Sequence, residues 1–122
     1  MSDMFIGGKW HGASGDEMVS IDPSYGQKIW SGHSADGRDV DAAMRAAAKA
    51  FGTWSITPLD ERIESLERFA QIAASKKEEL GKLIALETGK ALWDATGEAG
   101  VVGGKVAATL KAYTERTGST QF

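Results

Sequence analysis

The chain has 122 residues, of which 42% are hydrophobic and 25% charged, a balance typical of one globular domain or part of a larger one. Its net charge of -3, with basic residues scattered among acids, argues against nucleic-acid binding. No apolar run resembles a signal peptide or a membrane span, so we expect a cytoplasmic protein. The absence of cysteine excludes disulfides, thiolate metal sites and a cysteine nucleophile within these residues.

Residues 1–33 are predicted to form a β-hairpin region. Gly7 and Gly8 separate two short runs, residues 4–6 and 9–10, that have the composition of strands. A two-residue hairpin turn needs a positive φ at both central positions, and glycine adopts it without steric cost. We therefore expect an antiparallel hairpin at the start of the chain.

A second pair of strands is predicted over residues 18–21 and 27–31. The segment between them, Asp-Pro-Ser-Tyr-Gly at 22–26, is typical of a turn, because proline fixes φ and glycine tolerates the conformation that closes the turn. The β structure is then expected to give way to helix near Ser34.

Residues 34–118 are predicted to be helical. Ser34 or Asp36 is the expected N-cap of the first helix, and Gly52 its expected end. The spacing of its apolar residues predicts one stripe along the helix. That stripe comprises Val40, Met44, Ala47, Ala48 and Phe51.

Thr57 and Pro58 mark the expected start of the second helix, as N-cap and first helical residue. Its apolar stripe is Leu59, Ile63, Leu66, Ala70 and Ala73. A break is expected around Ser75, followed by a third helix that ends at Gly89, a natural left-handed stop.

A fourth helix is predicted over residues 92–116, although it contains four interior glycines: Gly97, Gly100, Gly103 and Gly104. Each costs a helix about 1 kcal/mol relative to alanine. Their spacing suggests one shared face, and the expected compensation is close approach of another backbone on that face.

The residues alone predict no catalytic, cofactor-binding or metal-binding site. His11 and His33 are placed in loops and expected to be exposed to solvent; metal binding, the alternative, lacks a third ligand. Three Gly-Lys pairs lack the upstream glycine and downstream Ser or Thr of a phosphate-binding loop. No G-x-G-x-x-G occurs, and the glutamates lie on predicted solvated helix faces.

Five segments in order resemble the N-terminal stretch of the aldehyde dehydrogenase superfamily. They are FIGGKW at 5–10, IDPSYGQ at 21–27, DVDAAMRAAAKAFGTW at 39–54, ERIESLERFAQI at 61–72 and LIALETGKALWDA at 83–95. Each motif is weak alone, and the resemblance depends on their order and spacing. With KAYTERTG at 111–118, the run ETGKALWDA is most similar to the N-succinylglutamate 5-semialdehyde dehydrogenases of bacterial arginine catabolism.

The resemblance implies an α+β fragment of an α/β enzyme, a β-hairpin region followed by about four helices of a Rossmann-like cofactor domain. The parent enzyme would use NAD or NADP. It would oxidise the aldehyde through a cysteine thiolate, with a glutamate activating water and an asparagine stabilising the oxyanion. The chain has neither cysteine nor asparagine, and its glutamates do not match the catalytic one. We therefore expect residues 1–122 to lack the catalytic domain, to bind no cofactor alone and to be inactive.

Two further roles are implied only by the resemblance. The helix around Val101, Val102 and Lys105 resembles one that lines the substrate tunnel in family members. Glu87, with the backbone near Ser20 and Ile21, matches a place where some relatives hold a monovalent cation. A surface carboxylate at a helix end is the alternative for Glu87.

The second hypothesis is an interaction module that associates with itself or with a full-length enzyme. Apolar helix faces that cover a sheet in family members would be exposed here, and large exposed apolar patches favour association. A homo-oligomer is therefore expected, with no nucleic-acid or membrane partner.

Overall fold

The computed structural model describes residues 4–117. Contacts within the chain divide it into two units, Met1–Thr57 and Pro58–Phe122. The first unit holds all four strands and one helix, and the second holds three helices. The prediction of an α+β fragment with a hairpin region followed by four helices is therefore confirmed.

The first two strands form the predicted hairpin. β1 (Met4–Ile6) pairs antiparallel with β2 (Lys9–His11). Gly7 and Gly8 have φ of 60° and 82°, so both central turn positions use the conformation that glycine permits. Phe5 and Trp10, which face each other across the hairpin, stack edge to face with ring centroids 5.3 Å apart.

The second hairpin pairs β3 (Glu17–Ile21) with β4 (Lys28–His33), also antiparallel. Its turn is organised by Asp22, the buried polar residue of this unit. The Asp22 carboxylate accepts a hydrogen bond from the Ser24 amide at 2.7 Å, and the Asp22 amide donates to the Gln27 carbonyl at 2.8 Å. The predicted turn is therefore held by its own side chain.

Helix α1 (Gly37–Trp54) begins with a complete capping box. The Asp36 carboxylate accepts hydrogen bonds from the amides of Arg38 and Asp39, at 2.8 and 3.0 Å, and the Asp39 carboxylate accepts from the Asp36 amide at 3.0 Å. Of the two candidate caps, the structure thus selects Asp36. The predicted end at Gly52 is wrong, because glycine permits a left-handed stop but does not impose one.

Asp39 also joins this helix start to the loop between β2 and β3, since its carboxylate accepts a hydrogen bond from the Ser14 amide at 2.9 Å. The pKa of Asp36 is lowered, first by the hydrogen bond from the Asp39 amide and next by the Arg38 side chain. Because the folded pKa lies below the unfolded one, this cap stabilises the fold above the ordinary carboxyl pKa of about 3.9. That contribution is lost as the pH falls through the lowered pKa.

The second unit begins with α2 (Leu59–Ser75), followed by α3 (Lys77–Thr88). The predicted break at Ser75 and the left-handed stop at Gly89, with φ of 71°, are confirmed. The predicted cap is wrong by one position, because Pro58 is the N-cap and no side chain caps this helix. The Thr57 hydroxyl instead donates to the Thr53 carbonyl at 3.0 Å, back into α1.

Helix α4 (Leu92–Arg116) is continuous through its four glycines, but they do not share one packed face. An added Cβ at Gly103 would lie 2.9 Å from the Ala70 carbonyl oxygen, so the expected close backbone approach is confirmed there. At Gly100 the neighbour is the Lys77 side chain, 3.3 Å away. Among the described residues, no heavy atom beyond the adjacent residues and the local helix backbone lies within 4 Å of such a Cβ at Gly97 or Gly104, so for these two the packing explanation is wrong.

The described residues bury few apolar side chains. Those that are buried belong to alanines, Ala73 in α2 with Ala95 and Ala99 in α4. Large apolar side chains remain open to solvent on every helix, including Phe51 at 67% and Trp93 at 80% exposure. The helices thus present much of their apolar surface outward.

Candidate functional site

The two histidines lie at strand ends, not in the loops predicted for them. His11 ends β2, where its Nε2 atom lies 3.3 Å from the Ile6 carbonyl oxygen, and His33 ends β4. β2 runs one residue further than the sequence pattern predicted, and β4 runs two residues further. Within residues 4–117, no three histidine or carboxylate side chains are grouped to hold a metal ion.

The Gly-Lys pairs are placed where they cannot cradle a phosphate. Gly81 and Gly104 lie inside helices, so their amides serve the helical hydrogen-bond ladder. Gly89 is the left-handed stop of α3. These positions agree with the failure of all three pairs to match a phosphate-binding loop.

The side-chain charge at the N-termini of the described helices is negative. A pyrophosphate binds at a helix start through free amides and the positive end of the dipole. Every described helix has acidic residues in its first turn: Asp39 in α1, Asp60 and Glu61 in α2, Glu78 and Glu79 in α3, and Asp94 in α4. An acidic side chain in the first turn competes with a bound anion for the positive end of the helix dipole.

Lys90 forms an ion network that the sequence reasoning missed. Its Nζ atom lies 2.7 Å from Glu98 Oε1 and 3.5 Å from Asp94 Oδ2, which joins the end of α3 to the first turns of α4. The hydrogen bond to Glu98 is the main cause that raises the pKa of Lys90. Residues 90, 94 and 98 are spaced by four, but Lys90 lies before the first residue of α4, so helical spacing alone does not predict the network.

The residues linked by resemblance to a tunnel and a cation site lie on helix surfaces. Val101, Val102 and Lys105 are exposed in the middle of α4. Glu87 is exposed near the C-terminal end of α3. Among residues 4–117, no helix is long and apolar enough to cross a membrane.

Comparison with known proteins shows the family of this chain. The model of the aldehyde dehydrogenase family matches residues 10–121. The chain belongs to the aldehyde dehydrogenase family. It is 44% identical over 118 residues to an N-succinylglutamate 5-semialdehyde dehydrogenase of Paraburkholderia xenovorans, and 40% identical over 116 residues to one of Vibrio cholerae. These matches cover 97% and 95% of the chain.

Solved structures agree with this family. An NAD-dependent benzaldehyde dehydrogenase from Corynebacterium glutamicum superposes with a TM-score of 0.83 at 28% identity, covering 97% of this chain and 27% of that one. An NADP-dependent glyceraldehyde-3-phosphate dehydrogenase from Bacillus halodurans, solved with NADP, gives a TM-score of 0.86 over 93% of this chain and 24% of that one. At 24% identity, the second match supports the fold alone.

The chain spans about a quarter of the length of these relatives, 24% for both curated proteins. The exposed apolar helix faces are consistent with this short span, because a longer relative has more chain with which to cover them.

Proposed function

We propose that this chain is the N-terminal scaffold of the cofactor-binding domain in an NAD(P)-dependent aldehyde dehydrogenase. The observation that carries the proposal is 44% identity over 97% of the chain to a relative four times as long. Residues 1–33 supply the hairpin region and residues 34–118 the helices, with Gly118 outside the described residues. In this proposal the chain forms part of the framework of the domain, and other residues of the enzyme carry out the reaction.

The proposed reaction of the whole enzyme is oxidation of N-succinylglutamate 5-semialdehyde to N-succinylglutamate, in arginine catabolism. The names of the relatives from Paraburkholderia and Vibrio support this substrate. The runs at 87–95 and 111–118, which resemble these enzymes most, belong to the same match. The first run contains Lys90 and Asp94, whose charged groups lie 3.5 Å apart.

Residues 1–122 alone are proposed to be inactive and to bind neither NAD nor NADP. The sequence has no cysteine for thiolate attack and no asparagine to stabilise the oxyanion. Acidic first turns on all four described helices oppose pyrophosphate binding. Both features support a scaffold role.

A segment exchange tests this proposal. The 118 matching residues of the Paraburkholderia enzyme are replaced by those of this chain, and oxidation of N-succinylglutamate 5-semialdehyde is followed by NADH formation. We expect kcat/KM within about tenfold of the parent enzyme, because a scaffold exchange leaves the transition-state contacts in place. A matched exchange uses the corresponding benzaldehyde dehydrogenase segment, which is 28% identical to this chain. We expect that chimera to have a lower kcat/KM than the chimera that carries this chain. A folded chimera that has lost activity on this aldehyde would contradict the proposal.

A second candidate function is association with a second copy or with a full-length enzyme. It is favoured by the apolar stripe of α1, where Met44 and Phe51 are 66% and 67% exposed and Val40 is 55% exposed. Monomeric proteins rarely leave a continuous apolar stripe of this kind in water. We propose that this stripe makes the isolated chain a homo-oligomer.

A further inference from the structure

The exposed apolar side of helix α1 has the spacing of a seam between two helices. Exposed residues follow one another along it at alternating steps of three and four, from the first residue of the helix to the last. They are Gly37, Val40, Met44, Ala47, Phe51 and Trp54, and we call this set the α1 seam. Alternating steps of three and four are the repeat by which side chains of one helix enter the gaps of another. The α1 seam therefore fits a partner that is itself a helix.

The side chains of the α1 seam become larger along the helix. Gly37 and Val40 lie at its start, whereas Phe51 and Trp54, which are 67% and 47% exposed, lie at its end. Two closely packed helices keep a nearly constant separation of about 8–10 Å, so a large side chain on one must face a small one on the other. A partner for the α1 seam must therefore have the opposite size gradient.

A second copy of α1 that runs antiparallel has that opposite gradient. When one seam is reversed against the other, every layer combines a larger residue with a smaller one. These layers are Gly37 with Trp54, Val40 with Phe51, and Met44 with Ala47. Each layer occurs twice, because both copies present the same surface. A parallel pair would instead place two Trp54 rings together at one end and two glycines together at the other.

The charges beside the α1 seam favour the same orientation. Asp41, which pairs with Arg45 of its own helix at 2.6 Å, directly flanks the seam, and Lys49 follows about two turns later. In the antiparallel alignment Asp41 lies level with residue 50 of the second copy, next to Lys49. A parallel pair would bring the two Asp41 carboxylates level with each other. Exposed ion pairs add little affinity, so the charges select the orientation and the apolar layers supply the affinity.

We propose that α1 pairs with α1 of a second copy as an antiparallel helix dimer, packed through the α1 seam. This inference rests on the second candidate function, association of the chain with a second copy, and names the surface and its geometry. The same surface is used by both copies, so the contact is closed by a twofold axis. Association through the α1 seam therefore stops at two copies.

Spin-label distances test the orientation of the two helices. The chain has no cysteine, so Arg45→Cys and Gly52→Cys each give a dimer with one label per copy. Both positions are exposed, and they lie two turns apart on one face of α1, away from the seam. With a rise of 1.5 Å per residue, the antiparallel alignment separates the labels along the axis by roughly 2 Å at position 45 and roughly 20 Å at position 52. Equal label distances at the two positions would show a parallel pair and overturn the proposal.

Val40→Phe tests the packing of the layers. The substitution places two phenylalanine rings in a layer that holds one in the wild type, so we expect the dissociation constant to rise about tenfold although the apolar surface increases. Ala42→Phe adds the same ring on the opposite face of α1 and is the matched control, with an unchanged dissociation constant. Tighter association of the Val40→Phe chain would overturn the proposal, because apolar area alone would then govern association.

Sedimentation of the wild-type chain separates this inference from the association on which it rests. A dimer with equal label distances overturns the antiparallel geometry and leaves the association standing. A chain that is monomeric at every concentration overturns both. A chain that is monomeric alone but binds the full-length Paraburkholderia enzyme assigns the α1 seam to that partner and overturns the dimer.

Discussion

Gly81→Ala is expected to separate α3 from α4 and to destabilise the second unit by about 1–3 kcal/mol, the usual cost of overpacking. The added Cβ would lie 2.7 Å from the Thr96 hydroxyl oxygen and 2.8 Å from the Thr96 Cα. The backbone atom cannot rotate away, so the helices must move apart. Alanine's helix preference, about 1 kcal/mol, offsets only part of this cost. Urea unfolding followed by circular dichroism measures the change.

The matched control is Gly97→Ala, the same chemical change in the facing helix. Among the described residues, no heavy atom beyond the adjacent residues and the local helix backbone lies within 4 Å of the new Cβ, so the variant is expected to gain up to about 1 kcal/mol. The two substitutions should therefore shift the urea midpoint in opposite directions. If Gly81→Ala were as stable as the wild type, the packing described for α3 and α4 would be wrong.

Phe51→Lys is expected to weaken self-association of the isolated chain about 10- to 100-fold. Burying a phenylalanine side chain is worth roughly 1.5–3 kcal/mol, and each 1.4 kcal/mol is tenfold in affinity. The ring is 67% exposed within the chain, so its replacement removes little intramolecular packing. Sedimentation or light scattering over a concentration series measures the association constant.

Ala42→Lys is the control for this change, because it adds the same charge to an exposed position of α1 on the face opposite the apolar stripe. Oligomerisation should survive Ala42→Lys but decline with Phe51→Lys. A wild-type chain that remains monomeric across the concentration series would refute the association proposal. Equal effects of both variants would show that net charge, not the stripe, governs association.

The local features of this fold could be predicted from sequence because their causes are local. Gly7 and Gly8 set the first hairpin, the Asp36 cap starts α1, and Gly89 stops α3. Each acts through its own backbone or through residues within one turn of it. Such features need no knowledge of what packs against them.

The tertiary roles of individual residues were less predictable. The sequence indicated a glycine face on α4, but Gly103 packs while Gly97 and Gly104 do not. It gave no reason to single out Gly81, whose importance depends on Thr96 of another helix. Glycine spacing shows where another element could approach the helix closely. Whether an element does so depends on the tertiary packing.

The candidate site shows the same difference between local features, which could be predicted, and tertiary ones, which could not. Family membership could be predicted from five short segments, because their order and spacing are visible in the sequence and require no knowledge of tertiary contacts. The histidines were misplaced because short strands end without a strong composition signal. The Lys90 network joins a helix end to the next helix, and the geometry of the turn between them was needed to see it.

The scaffold role is tested most directly by NADH or NADPH formation with the purified 122-residue chain and N-succinylglutamate 5-semialdehyde. The Paraburkholderia relative serves as the positive control. We expect no reduced cofactor and no acyl adduct by intact mass, because none of these residues supplies a thiolate. Turnover, or a covalent acyl adduct on this chain, would show that it carries its own nucleophile and is not a scaffold alone.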